Sequence, residues 1–107
     1  MSIRIKAAPT NSTAVKRKAP LFALGAVVAT PAVLEHLDKH GINAQEYLDL
    51  HVRGDWGDVP LEDAKENKLS VERGFRILSV YEVAGARVFV ITEADRSATT
   101  LLFPSEY

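Results

Sequence analysis

Two short stretches hold most of the side chains that could do chemistry. In "HVRGDWGD" (51–58), His51 is a side chain whose ordinary pKa lies near neutral pH, Trp56 offers a ring to stack on, and Asp55 and Asp58 are carboxylates that can orient a histidine or hold a cation. In "TEADRSATT" (92–100), Arg96 suits an oxyanion or phosphate, Ser97 and Thr99 are positioning hydroxyls, and Glu93 and Asp95 are carboxylates for base chemistry or binding. Both stretches also have plain structural explanations. Two glycines bracketing Asp55-Trp56 make a compact turn that Asp55 ties to backbone N–H groups, with Trp56 plugging the edge of the core. "EADRS" is a hairpin loop, and the threonines after it favour a strand, with Thr99 and Thr100 on opposite faces.

The elements that must position these residues can be read from hydrophobic period and punctuation. "LFALGAVVAT" (21–30) reads as a strand, and Thr30-Pro31 opens a helix that Gly41 ends, with Val33, Leu34 and Leu37 on its buried face. Asn43 and Glu46 have capping-box spacing, with Ile42 and Tyr47 as a staple, so a second helix runs toward Gly54 and buries Leu48 with His51 or Val52. Pro60 opens a third helix, "PLEDAKENKLSVER", closed by Arg73 and Gly74; Asn67 on its inner side is expected to fasten it to the "GDWGD" turn. The period then becomes two. "FRILSVYEV", "ARVFVIT" and "ATTLLF" are three strands joined by "AG" and "EADRS". The fold class expected is α+β: an N-terminal strand and three helices packed on a C-terminal antiparallel sheet of three to four strands, the first strand joining an edge.

Charge and composition narrow the function classes. Of the 13 Lys and Arg, Arg4, Lys6, Lys16, Arg17 and Lys18 fall in residues 1–19, which contain no acid. The other 8 oppose all 14 acidic side chains, leaving the body at −6. Residues 1–19 read as a basic, disordered leader and 20–107 as one domain. Helix, Gly41-Ile42, helix has helix-turn-helix spacing, but residues 31–51 carry four acids and one lysine, which face phosphate badly. A helical hairpin covering a sheet is the better reading. The chain has no cysteine, which excludes thiolate catalysis and cysteine-based zinc sites, and no metal or cofactor is expected. No apolar run approaches the roughly 20 residues that cross a bilayer, and no signal-peptide pattern is present, so a cytoplasmic protein without membrane association is expected.

The segments "LFALGAVVATPAVLEHL", "HVRGDWGDV", "GFRILSVYEV" and "VITEADRSATTLLFPSEY" resemble a family of small bacterial proteins carried on plasmids and integrative elements, described as plasmid-related proteins. The resemblance covers about residues 20 to 107, and "GDWGD" and "TEADRS-TT" are its specific motifs. It implies an accessory of a mobile genetic element. A second, topological resemblance is to the barnase, EndoU, colicin and RelE-type nucleases, in which helices precede an antiparallel sheet. That likeness implies His51 as general base or acid, Arg96 as phosphate ligand, and Ser97 or Thr99 as a positioning hydroxyl. Two expectations follow. The one taken forward is a non-catalytic binding module that engages a host or defence protein through the acidic body, by charge complementarity. The alternative is a small metal-independent ribonuclease, with RNA as its partner. A shared active site requires His51 and Arg96 to lie at the same end of the domain.

Overall fold

The computed structural model describes residues 19–107; the basic leader read from the sequence lies, apart from Ala19, outside the described residues. The element order is β1 (Ala26–Ala29), α1 (Pro31–Lys39), α2 (Gln45–Val52), α3 (Leu61–Arg73), β2 (Ile77–Val83), β3 (Ala86–Thr92) and β4 (Ala98–Leu102), followed by a 3-10 turn at Pro104–Glu106. The fold is α+β, and its four strands are ordered β1-β4-β3-β2. β2, β3 and β4 form the expected antiparallel meander. β1 does join an edge, but it runs parallel to β4, pairing Ala26 with Ala98 through Ala29 with Leu101. The sheet is therefore mixed rather than antiparallel throughout.

The first apolar run is also split. Gly25 has φ +66, and a Cβ there would lie 2.4 Å from the carbonyl oxygens of Arg96 and Ser97. Only glycine fits that approach. The strand starts after it, and Phe22 turns instead into a cluster with Val52 and Ile77.

Helix boundaries follow their capping residues. Thr30 is extended, and its hydroxyl accepts the Val33 N–H at 3.3 Å, with Pro31 in the first turn. Asn43 accepts the Gln45 N–H at 2.9 Å rather than that of Glu46, and Ala44 takes the cap position with no side-chain bond, so the expected capping box does not form. Gly74 closes α3 at φ 73. Val33, Leu37 and Leu48 bring α1 and α2 onto one face of the sheet, against Tyr81, Val83, Val88, Val90 and Leu101. That is the helical hairpin covering a sheet. α3 packs differently, since the residues it buries are Asn67 and Ser70.

Asn67 does not fasten α3 to the "GDWGD" turn as expected. Its amide donates to the Leu78 carbonyl at 2.6 Å and accepts the Leu78 N–H at 3.1 Å, imitating a neighbouring strand at the free edge of β2. The turn clasps the next outward position of that edge. Val80 donates to the Trp56 carbonyl at 3.0 Å and accepts from the Asp58 N–H at 2.7 Å. A helix side chain and a turn together thus satisfy the backbone groups that an edge strand otherwise leaves open.

Candidate functional site

His51 stands in the last turn of α2 and is 0% exposed. Its Nδ1 lies 2.5 Å from Ser79 Oγ and its Nε2 lies 2.8 Å from Thr92 Oγ1. Thr92 Oγ1 is 2.7 Å from Thr99 Oγ1, and Thr99 donates to the Leu24 carbonyl at 2.8 Å. Ser79, Thr92 and Thr99 are themselves 0% exposed. Proton counting fixes the direction of the chain. The single hydroxyl proton of Thr99 goes to Leu24, so Thr92 must donate to Thr99 and accept from His51 Nε2–H. A neutral ring then leaves Nδ1 as an acceptor for the Ser79 hydroxyl. The ring is neutral because burial, and then the charge of Arg96, push its pKa down to about 3. No buried side-chain polar atom among the described residues lacks a partner.

The "GDWGD" turn sits beside this histidine. Trp56 is half-buried and stacks on Phe22 with ring centroids 6.2 Å apart, while the His51 ring meets Phe22 edge-on at 5.1 Å. The carboxylate of Asp55 accepts the Gly57 N–H at 3.3 Å, the tie expected of a turn aspartate, and its carbonyl accepts the Tyr81 hydroxyl. Asp58 is exposed and contributes its backbone to the β2 clasp. At Gly57, φ is +71 and a Cβ would stand 2.0 Å from the Val80 carbonyl. The close approach that makes the clasp therefore demands glycine.

Arg96 occupies the left-handed position of the β3–β4 loop, at φ 61, which is usually a glycine position. Its guanidinium spans two elements. Nη2 donates to the Ser70 carbonyl at 2.8 Å, and Nη1 donates to Phe75 at 2.6 Å, Glu93 at 3.1 Å and Ala94 at 3.3 Å. One cation thus ties the last turn of α3 and the start of the sheet to the hairpin loop. The same guanidinium lies 5.5 Å from the centre of the Phe22 ring.

His51 and Arg96 therefore lie at the same end of the domain, both against the ring of Phe22. Thr99 joins the buried chain through Thr92. Ser97 does not, because it is exposed on the loop, where its N–H donates to Asp95 at 2.9 Å. The hydroxyl and N–H of Ser97 hold the exposed Asp95 carboxyl below its usual pKa. Glu93 pairs loosely with Arg76 at 3.8 Å. Three members of the cluster go unmarked in the two motifs: Phe22 and Ser79, which lie outside them, and Thr92, which opens the second. Ser79 and Thr92 carry a signal nonetheless, since each is a hydroxyl at an inward position of an otherwise apolar strand face. Phe22 has none, being 29 residues before His51.

Among the described residues, no group of three or more His, Asp or Glu is arranged to hold a metal ion, and no helix is long and apolar enough to cross a membrane. No family model, curated protein or solved structure matches this chain.

Proposed function

We propose that the protein is a non-catalytic binding module of a mobile genetic element, engaging a host or defence protein through its acidic body. One observation carries this reading: the base that a ribonuclease would use is sealed inside the fold, and the half-buried cation is engaged through both its Nη atoms by backbone carbonyls. His51 is sealed from water with both nitrogens held by hydroxyls, and Arg96 spends its guanidinium on backbone carbonyls. A general base needs a free lone pair within reach of substrate, and a phosphate ligand needs free N–H groups. The carboxylates, by contrast, face solvent. Asp55, Asp58, Glu62, Asp63 and Glu66 are all exposed, with Lys65 as the one basic side chain among residues 55–66. A surface of that sign steers toward a basic partner and binds it in a salt-dependent way.

The ribonuclease alternative has one point in its favour, the approach of both His51 and Arg96 to the ring of Phe22. Two measurements separate the readings. Affinity purification from the natural host should retain a protein that salt releases and that the charge-neutralising variant Asp55→Asn/Asp58→Asn/Glu62→Gln/Asp63→Asn no longer retains. No such partner in repeated trials sinks the binding reading. Incubation of the pure protein with total RNA from about pH 5 to about pH 8, the range a histidine spans, should leave the RNA intact. Cleavage abolished by His51→Ala in a folded protein would establish the alternative.

A further inference from the structure

The helices α1 and α2 cover one face of the sheet, and the other face is apolar too. In register across it run Leu78, Ile91, Thr100 and Val28, and beside them Val80, Phe89 and Leu102. Val80 and Ile91 are 5% and 4% exposed yet belong to neither core cluster, while Leu78, Phe89, Leu102 and Val28 are half-buried. The end of the polypeptide lies over part of this face. The Tyr107 ring sits 5.9 Å from that of Phe89, and its hydroxyl accepts from Arg76 at 2.8 Å, with the ring itself 68% exposed. An antiparallel sheet can leave one face to water when that face is polar, but here it carries apolar rows, so a half-covered apolar face asks for an occupant.

Charge identifies which. Between residues 35 and 72 there are 10 acids and 4 basic side chains, whereas residues 73–107 hold 4 acids and 4 arginines. The sheet is thus the neutral part of an acidic body. Its apolar rows are framed at one end by Arg76 and Glu93, 3.8 Å apart, and at the other by Glu82 and Arg87, which are cross-strand partners. We propose that this open face of the sheet is an interface between two copies of the chain. A two-fold axis lying between the sheets and running across the strands lays each strand over its counterpart in the reverse direction. Arg76 then faces Glu82 of the second copy, and Glu93 faces Arg87 of the second copy. The face is self-complementary under that operation, as an isologous interface must be. A strongly basic partner would find no excess of acid here to match. The two sheets stack in an aligned sandwich with helices outside, and Tyr107 fills part of the roughly 10 Å between them. Four strands of about five residues give a footprint of roughly 20 Å by 20 Å, small for a specific interface, so the dimer is reversible rather than obligate.

Sedimentation equilibrium of the full chain across a wide concentration range tests this directly. A concentration-dependent dimer is expected. Glu82→Arg places arginine against Arg76 of the second copy, twice by symmetry, and should weaken dimerisation by about 10- to 100-fold. Adding Arg76→Glu should restore it. That double variant leaves the repulsions within one chain in place, so recovery reports on the contact between copies and not on folding. A chain that stays monomeric overturns the proposal. Amide exchange on that monomer then tells whether the face is open to a different protein or covered by residues 1–18. A dimer indifferent to both substitutions overturns it as well.

Discussion

His51 donates through Nε2 to the hydroxyl of Thr92, 41 residues further along the chain and 2.8 Å away, in an interior with no water-facing surface at either residue. This bond is the second of four links in a chain running one way from Ser79 to the Leu24 carbonyl. Its direction joins helix α2, strands β2, β3 and β4, and the segment before β1 into one polar seam. A buried polar network with every member satisfied specifies a single packing, because any rearrangement leaves a desolvated donor or acceptor unmade.

The direction of that seam is measurable. Nitrogen-15 NMR of the His51 ring at neutral pH should show protonated Nε2 and unprotonated Nδ1. Thr99→Val removes the terminal donor and leaves the Leu24 carbonyl and the Thr92 hydroxyl without their partner, at a cost of about 1–3 kcal/mol in urea unfolding. A ring protonated at Nδ1 would reverse the assigned chain.

Acid should weaken the fold through the same residue. The His51 pKa is pushed down to about 3 in the fold from the ordinary value of 6.5. Between those values the unfolded chain carries a proton that the folded chain does not, so stability rises with pH across this window. The contribution is full above about pH 6.5 and is lost as pH falls toward 3, amounting to at most about 5 kcal/mol. Urea midpoints measured at about pH 7, 5 and 4 should fall steeply for the wild type. His51→Gln, less stable at neutral pH, should lack the part of the slope due to this ring; equal slopes in the two proteins would contradict the linkage.

Arg96 should behave as a structural clamp. Arg96→Ala strips Ser70, Phe75, Glu93 and Ala94 of a charged donor and should cost about 2–4 kcal/mol, since hydrogen bonds to charged groups carry about 1.5–3 kcal/mol each and the exposed members less. Arg96→Lys should recover only part of this, because an ammonium cannot span carbonyls of two elements as the planar fork does. The thermal midpoint distinguishes the cases: unchanged stability in both variants would mean that the guanidinium is free for another purpose.

The β2–β3 turn should be improvable. Ala84 and Gly85 both have positive φ, at 47 and 82, as in a type I′ hairpin turn, yet Ala84 carries a Cβ where Asn or Gly is preferred. Ala84→Asn should stabilise the domain by about 0.5–1 kcal/mol, seen as a higher thermal midpoint. Ala84 is exposed and lies past the end of β2, roughly 16 Å along the strand from Ser79, so the gain should add to the effects above.

How legible the fold was depended on whether the deciding interaction was local. Thr30-Pro31, Gly41, Gly74 and the alternation of Ile77, Ser79, Tyr81 and Val83 act within a few residues, and the elements they define stand where the pattern puts them. The parallel pairing of β1 depends on contacts more than 70 residues apart, for which no pattern of period two gives a direction. Asn67 shows the same limit. Its need for partners follows from its place on the helix, but those partners are Leu78 backbone groups that any sequence would offer. At the candidate site, His51, Arg96 and Thr99 were visible as residue types. Burial of His51 beside Leu48 could be read from the helix face they share; what the sequence could not convey was occupancy, since its ring ends among hydroxyls supplied by three strands.

The clasp on β2 has a consequence for how copies of this chain meet. Sheet edges recruit one another, and a domain with two open edges can pass strands from molecule to molecule without limit. Here Asn67 occupies Leu78, and the backbone of Trp56 and Asp58 occupies Val80, so one end of every sheet is already spoken for. Head-to-tail extension, which must use both ends, has nowhere to continue. Stacking of the open faces stops at two. The glycine at position 57, required for the clasp to sit that close, thereby separates closed assembly from fibre growth.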